Sequence, residues 1–270
     1  MKWKNPAQWL FAIIALTFIT PSIMAHDPIF GIGPHVLYKG GIEISPEFHR
    51  NKKGPAQEDE LGLGLTYGIT GDWSAGVELP YTWADNGTNS NNGTGDIRLF
   101  TKYRFWRNDQ PGIQESAAIL LKTKTNTGSN TLSSASANTL GLTYGFEGRS
   151  WYRWASLRYQ ANNKDSTGLK HGNKILIDLV AGVRPNLTGY LEPDTVWLLE
   201  LNGEYAQQTR LNGTAINNSG GNEWFLSPGI FWTQRNFAVK AAIQVPISSN
   251  LKGVQDKTDY RAKLILEWHM

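Results

Sequence analysis

The chain has 270 residues, with no Cys, 28 Gly, 11 Trp, 10 Tyr, 10 Phe and a formal net charge of +3. No apolar run reaches the roughly 18 residues of a membrane-crossing helix, and the absence of Cys excludes a disulfide-stapled secreted domain. The frequency of aromatic residues excludes simple disorder, and the mean hydropathy of −0.38 leaves little material for a conventional core.

Residues 1–25 read as a signal peptide. Lys2 and Lys4 supply the positive start, Trp9–Thr20 the apolar stretch, and Ile23-Met24-Ala25 the cleavage site. Cleavage removes two Lys and no acid, leaving a mature charge of +1, which argues against nucleic acid as a partner. Residues 26–38 follow as a periplasmic lead-in or a plug. Residues 39–270 form the body of the chain.

That body alternates with period two from end to end, as half-buried strands do. Ile42, Ile44, Pro46 and Phe48 alternate with Glu43, Ser45, Glu47 and His49. The next segments run along Leu61–Ile69, Trp73–Trp83 and Ile97–Phe105. Ile113–Thr125, Thr139–Glu147, Trp151–Gln160, Lys174–Arg184, Thr195–Gln208, Asn222–Thr233, Phe237–Ile247 and Asp259–His269 complete about twelve strands. Trp151–Gln160 carries aromatics and Arg on both faces, so its phase is open.

The links also alternate. Gly71-Asp72, Arg107–Gly112, Gly148–Ser150 and Gln234–Asn236 are short, with Pro185–Asp194 somewhat longer. Asn51–Glu58, Ala84–Gly95, Asn126–Asn138, Ala161–Asn173, Arg210–Gly221 and Ser248–Thr258 read as long polar loops. Short periplasmic turns and long outer loops are the pattern of a transmembrane β-barrel. Trp placement separates that fold from a soluble sandwich, where Trp favours the strand middle. Trp73, Trp83, Trp106, Trp151, Trp197, Trp224, Trp232 and Trp268 all fall near strand ends, as membrane-interface residues do; Trp154 is the exception. The expected fold is all-β: an antiparallel up-and-down barrel of about 12 strands in the bacterial outer membrane, with membrane lipid as its surroundings.

With the apolar face outward, charges line the lumen. The basic set is Arg98, Lys102, Arg104, Lys122, Lys124, Lys240 and Lys263; the acidic set is Glu43, Glu47, Glu78, Asp178, Glu200 and Glu204. Two readings are open, an anion-preferring conduit and a cross-lumen salt-bridge network. Inward Gly62, Gly64, Gly68, Gly76, Gly141 and Gly145 thin one wall, leaving room for a solute or for the N-terminal segment. In that segment His26 and His35 are the candidate metal ligands, although their spacing matches no metal motif.

The stretch HDPIFGIGPHVLYKGGIEISPEFHR after the signal peptide resembles the start of members of the outer-membrane family named for the meta-pathway of phenol degradation. The resemblance implies an outer-membrane β-barrel that serves uptake of small organic compounds or export linked to metals. It supplies no catalytic motif and no cofactor. Transport or channel function is the first expectation. An embedded lipase or acyltransferase is an alternative, with His49 beside Glu47 as its only starting point and no Gly-x-Ser-x-Gly elbow to support it. A structural or adhesive barrel is a third. The expectation is a protein that is not an enzyme.

Overall fold

A computed structural model describes residues 27–129, 132, 135–189 and 192–270. The signal-peptide assignment and His26 lie outside the described residues. Twelve long strands make up the wall: β1 Ile42–Lys53, β2 Ala56–Thr70, β3 Trp73–Asp85, β4 Arg98–Gln110, β5 Ile113–Lys124 and β6 Ala137–Gly148 come first. β7 Trp151–Asn162, β8 Lys174–Val183, β9 Asp194–Ala206, β10 Gly221–Gln234, β11 Phe237–Leu251 and β12 Thr258–His269 follow. Each pairs antiparallel with its neighbours, and β12 pairs with β1 from Glu43↔His269 to Lys53↔Thr258, closing the cylinder. Closure matters because an open edge would leave unpaired N–H and C=O groups in hydrocarbon.

The period-two pattern becomes the two faces of this wall. Leu61, Leu63, Leu65, Leu140, Leu142, Leu199 and Leu264 are exposed on the outside, where lipid covers them. Trp73, Trp83, Trp106, Trp151, Trp197 and Trp268 are also exposed, at the strand ends. Trp154 points inward, is buried and stacks on Tyr152, which fixes the phase of β7. Tyr152, Ser156 and Arg158 share its face; Trp151, Arg153, Leu157 and Tyr159 lie outside.

Three expectations need correction. Asn51–Glu58 is not a long loop: β1 and β2 pair from Lys53↔Ala56 downward and turn through Gly54, whose φ of 55° suits a residue without Cβ. Arg50 and Asp59 clasp across this hairpin at 2.6 and 2.7 Å. Second, the outer loops carry strands of their own. Ser90–Thr94 extends the ladder of β3, and Leu169–Lys170, Arg210–Leu211 and Thr214–Ala215 form a small sheet above the wall. Polar residues can prolong a ladder once the strand has left the hydrocarbon, and their polarity had marked them as loop.

Third, the inside is not uniformly polar. Tyr152, Trp154, Val180, Val196, Leu198, Phe231, Ala238, Ala242 and Ile265 form a buried cluster on the inner face of β7–β12, with Ile29 from the N-terminal segment. This apolar cluster sits at the short-turn end of β7–β12, while the outer part of the same strands carries Arg158, Asp178, Asn202, Glu204, Gln244 and Arg261 on its inner face.

Candidate functional site

The N-terminal segment runs inside the lumen, with Ile29 in the apolar cluster and Phe30 packed against it. Its residues are short of side-chain donors, so its backbone groups need partners inside the barrel. Glu200 provides the main one. This fully buried carboxylate has no ion-pair partner among the described residues and accepts the backbone N–H groups of Ile29 at 2.6 Å, Phe30 at 3.1 Å and Gly31 at 3.0 Å. Thr143 Oγ1 donates to the Ile32 carbonyl at 2.8 Å, and Arg158 to that of Phe30 at 3.3 Å. Asp27 pairs with Lys102 at 2.7 Å, and His35 Nε2 meets Glu147. Burial alone would raise the Asp27 carboxyl; Lys102, with His35 and Lys240 near it, outweighs that and holds it below the ordinary carboxylate range.

The wall is hollowed to receive the segment. A methyl group at Gly145 would lie 2.8 Å from Pro34 Cγ, one at Gly141 2.9 Å from Ile32 Cδ1, and one at Gly229 2.8 Å from Ile29 Cδ1. A methyl group at Gly68 would run into the Tyr38 carbonyl oxygen, so this glycine also receives the segment, whereas Gly62, Gly64 and Gly76 make room for the side chains of Glu47, Ser45 and Phe100. Gly145→Val therefore forces Pro34 out of its seat. Overpacking of this kind costs about 1–3 kcal/mol, so labelling of a cysteine placed at Ile32 should speed up roughly tenfold in the double variant. Unchanged labelling by a thiol reagent would place the segment elsewhere. The chain has no native Cys to confuse the reading.

Beside the segment lie three cavities. The central one, about 280 Å³, is lined by Phe30, Glu47, Glu78, Arg98, Lys122 and Lys263 among others. The second, about 190 Å³, lies towards the periplasmic end and is lined by Asp27, His35, Lys102 and Glu267. Glu47 and Glu78 border both. A third, about 220 Å³, opens between the outer strand ends at Asn51, Lys53 and Lys174, and shares Glu204 and Arg261 with the central one. Through these shared residues the three cavities form a file along the bore.

Of the predicted basic residues, Arg98, Lys102, Lys122 and Lys263 line these cavities and Arg104, Lys124 and Lys240 line none of the three, but each meets an acid. Lys122 lies 2.6 Å from Glu78, Lys263 3.2 Å from Glu47, Lys240 2.7 Å from Glu267 and Lys124 3.1 Å from Asp96. Arg98 bridges Glu60 at 2.6 Å and Glu78 at 3.5 Å. Arg104 reaches instead to the rim, where it holds Asp72 and the Gly71 carbonyl at 2.7 Å. Of the acidic set, Glu204 pairs with Arg261 at 2.5 Å and Asp178 with Arg158 at 2.8 Å. Desolvating such ions costs several kcal/mol each unless they are paired, which is why the pairing is so thorough.

Sequence reasoning missed Glu60, Asp96 and the uncharged knot of Asn202, Ser227 and Gln244, whose bonds of 2.8 and 2.9 Å are fully buried. Even spacing along their strands was the available signal. Glu43, Glu267 and His269 bring one ligand atom each within 4.8 Å of one another near the periplasmic mouth. Lys240 already engages Glu267, so this set reads as a charge cluster. His35 is engaged with Glu147.

Comparison with known proteins agrees with the architecture. No curated protein matches the sequence. The crystal structure of an outer membrane channel from Pseudomonas putida F1 is similar over 91% of this chain and 100% of that one, with 12% identity and a TM-score of 0.68. The NanC porin is similar over 83% of this chain and 98% of its own, with 12% identity and a TM-score of 0.53. Residues 64–251 match the family described as "Putative MetA-pathway of phenol degradation". That match covers well over half of the sequence, so the chain belongs to this family, and its twelve-stranded barrel is that of a bacterial outer-membrane protein.

Proposed function

We propose that the protein is a narrow outer-membrane channel for small polar solutes, small organic compounds and anions among them, with its own N-terminal segment inside the bore. The observation that carries this reading is the file of three cavities beside the docked segment, the central one sharing Glu47 and Glu78 with the second and Glu204 and Arg261 with the outer. Ion pairs keep the file hydrated and hold its walls apart; at these volumes it admits molecules of a few heavy atoms at a time. That the two solved relatives are a channel and a porin supports the same reading. The hydrolytic alternative rests only on His49, which lines the central cavity against Phe30.

Liposome swelling tests the proposal. Vesicles carrying the full chain should swell in small polar solutes and fail to swell in solutes of disaccharide size. Vesicles that swell in no solute at all would remove the channel function and leave a structural barrel.

A further inference from the structure

Above β7, β8 and β9 the wall continues in register. β8 pairs Lys174 with Gln160 on β7 and with Ala206 on β9. Four residues further out, Lys170 faces Lys164 on one side and Arg210 on the other. Each step of four on one strand is matched by four on its neighbour, so no residue has been inserted and the faces carry over. Lys174 lines the outer cavity. Lys164, Lys170 and Arg210 therefore keep the inward parity of Lys174, two inward positions further out, at the outer mouth.

This row is unusual. Directly opposed residues in a ladder lie about 5 Å apart, and like charges there destabilise the pairing. Here three cations sit side by side, all exposed. Among the described residues none of them, nor Lys174, forms an ion pair, unlike the cations deeper in the lumen. The nearby acids are occupied: Asp165 accepts from Thr167 and from the Leu169 N–H, and Glu204 holds Arg261. The sequence thus keeps an electrostatic cost at the mouth that it removes everywhere below.

We propose that Lys164, Lys170 and Arg210 form a capture site for small anions, carboxylates or phosphates, which they pass by way of Lys174 to the central cavity. This rests on the channel reading and names its substrate class. Two cations about 5 Å apart can share the oxygens of one carboxylate or phosphate, and a field of one sign at a mouth raises local ligand concentration.

The test uses the full chain with Lys164→Gln, Lys170→Gln and Arg210→Gln combined, and a control with Lys252→Gln and Lys257→Gln in another outer loop. Tripolyphosphate and succinate are the probes, titrated calorimetrically into detergent-solubilised protein and added to the loop side of a planar bilayer. Binding should weaken about tenfold in the triple variant, and the preference for anions in a salt gradient should shrink, while the control keeps both. Unchanged binding in the triple variant, or equal loss in the control, overturns the site. So does a wild-type chain that binds vesicles containing lipid A but neither probe, because the row then faces the membrane surface. A bilayer without openings, alongside binding that the triple variant loses, would remove the channel and leave the capture site. Normal openings with charge-independent binding would do the reverse.

Discussion

Glu200→Ala is expected to release the N-terminal segment from the lumen while the barrel stays folded. Its carboxylate is the common acceptor for the amides of Ile29, Phe30 and Gly31. Removing it leaves three donors without partners in a buried place, at about 1–3 kcal/mol each. Inverting an equilibrium from 1:99 to 99:1 takes about 5.5 kcal/mol, so the loss is of the size needed to turn a docked segment into a mostly free one. The remaining ties are Asp27 to Lys102 and His35 to Glu147 towards the ends, and single bonds from Thr143 to Ile32 and from Arg158 to Phe30 in the middle. At about 0.5–1.5 kcal/mol net each, the middle two do not replace the three that are lost. Hydrogen exchange over residues 27–38 should accelerate strongly, and Glu200→Gln, which keeps one acceptor, should fall between. Exchange in Glu200→Ala as slow as in the parent would show that the apolar contacts of Ile29 suffice. Retention of the compact barrel band in unheated SDS gels separates release from unfolding.

Leu142→Arg should give the largest loss of barrel stability. Leu142 stands mid-strand on β6, 52% exposed, in the outward row with Leu140 and Tyr144. An arginine at that depth faces hydrocarbon and costs about 2–4 kcal/mol. The neighbouring Thr143 faces inward, so the substitution distinguishes the two faces of one strand. Urea unfolding in phospholipid vesicles should show the drop for Leu142→Arg, with a much smaller change for Leu142→Ile. Equal stability of the arginine variant would mean that this face is not in lipid.

The barrel itself was legible because strand geometry imposes its period on the sequence. Leu61, Leu63 and Leu65 had to face one way and Gly62 and Gly64 the other, and Trp near strand ends marked the interfaces. Partners across the lumen were not legible. Lys102 meets Asp27 because the N-terminal segment enters the lumen, and Lys122 meets Glu78 by reaching past β4, which no local spacing encodes. Glu200 looked like any other inward acid; only the folded chain shows that backbone amides, not a cation, satisfy it. The apolar cluster had a readable trace. Val180, Val196 and Leu198 put apolar residues on the inward phase of β8 and β9, where the polar alternation should have continued. The first hairpin misled for the opposite reason, since Asn51, Lys53 and Glu58 are polar residues in regular strands.

The central claim is that a file of cavities runs along the bore beside a segment that blocks the rest. Single-channel recording in planar bilayers tests it most directly, comparing the full chain with a variant lacking residues 27–38. The account predicts small ohmic openings for the full chain and openings several times larger once the segment is gone. Equal conductance in the two, or silence in both, would contradict it.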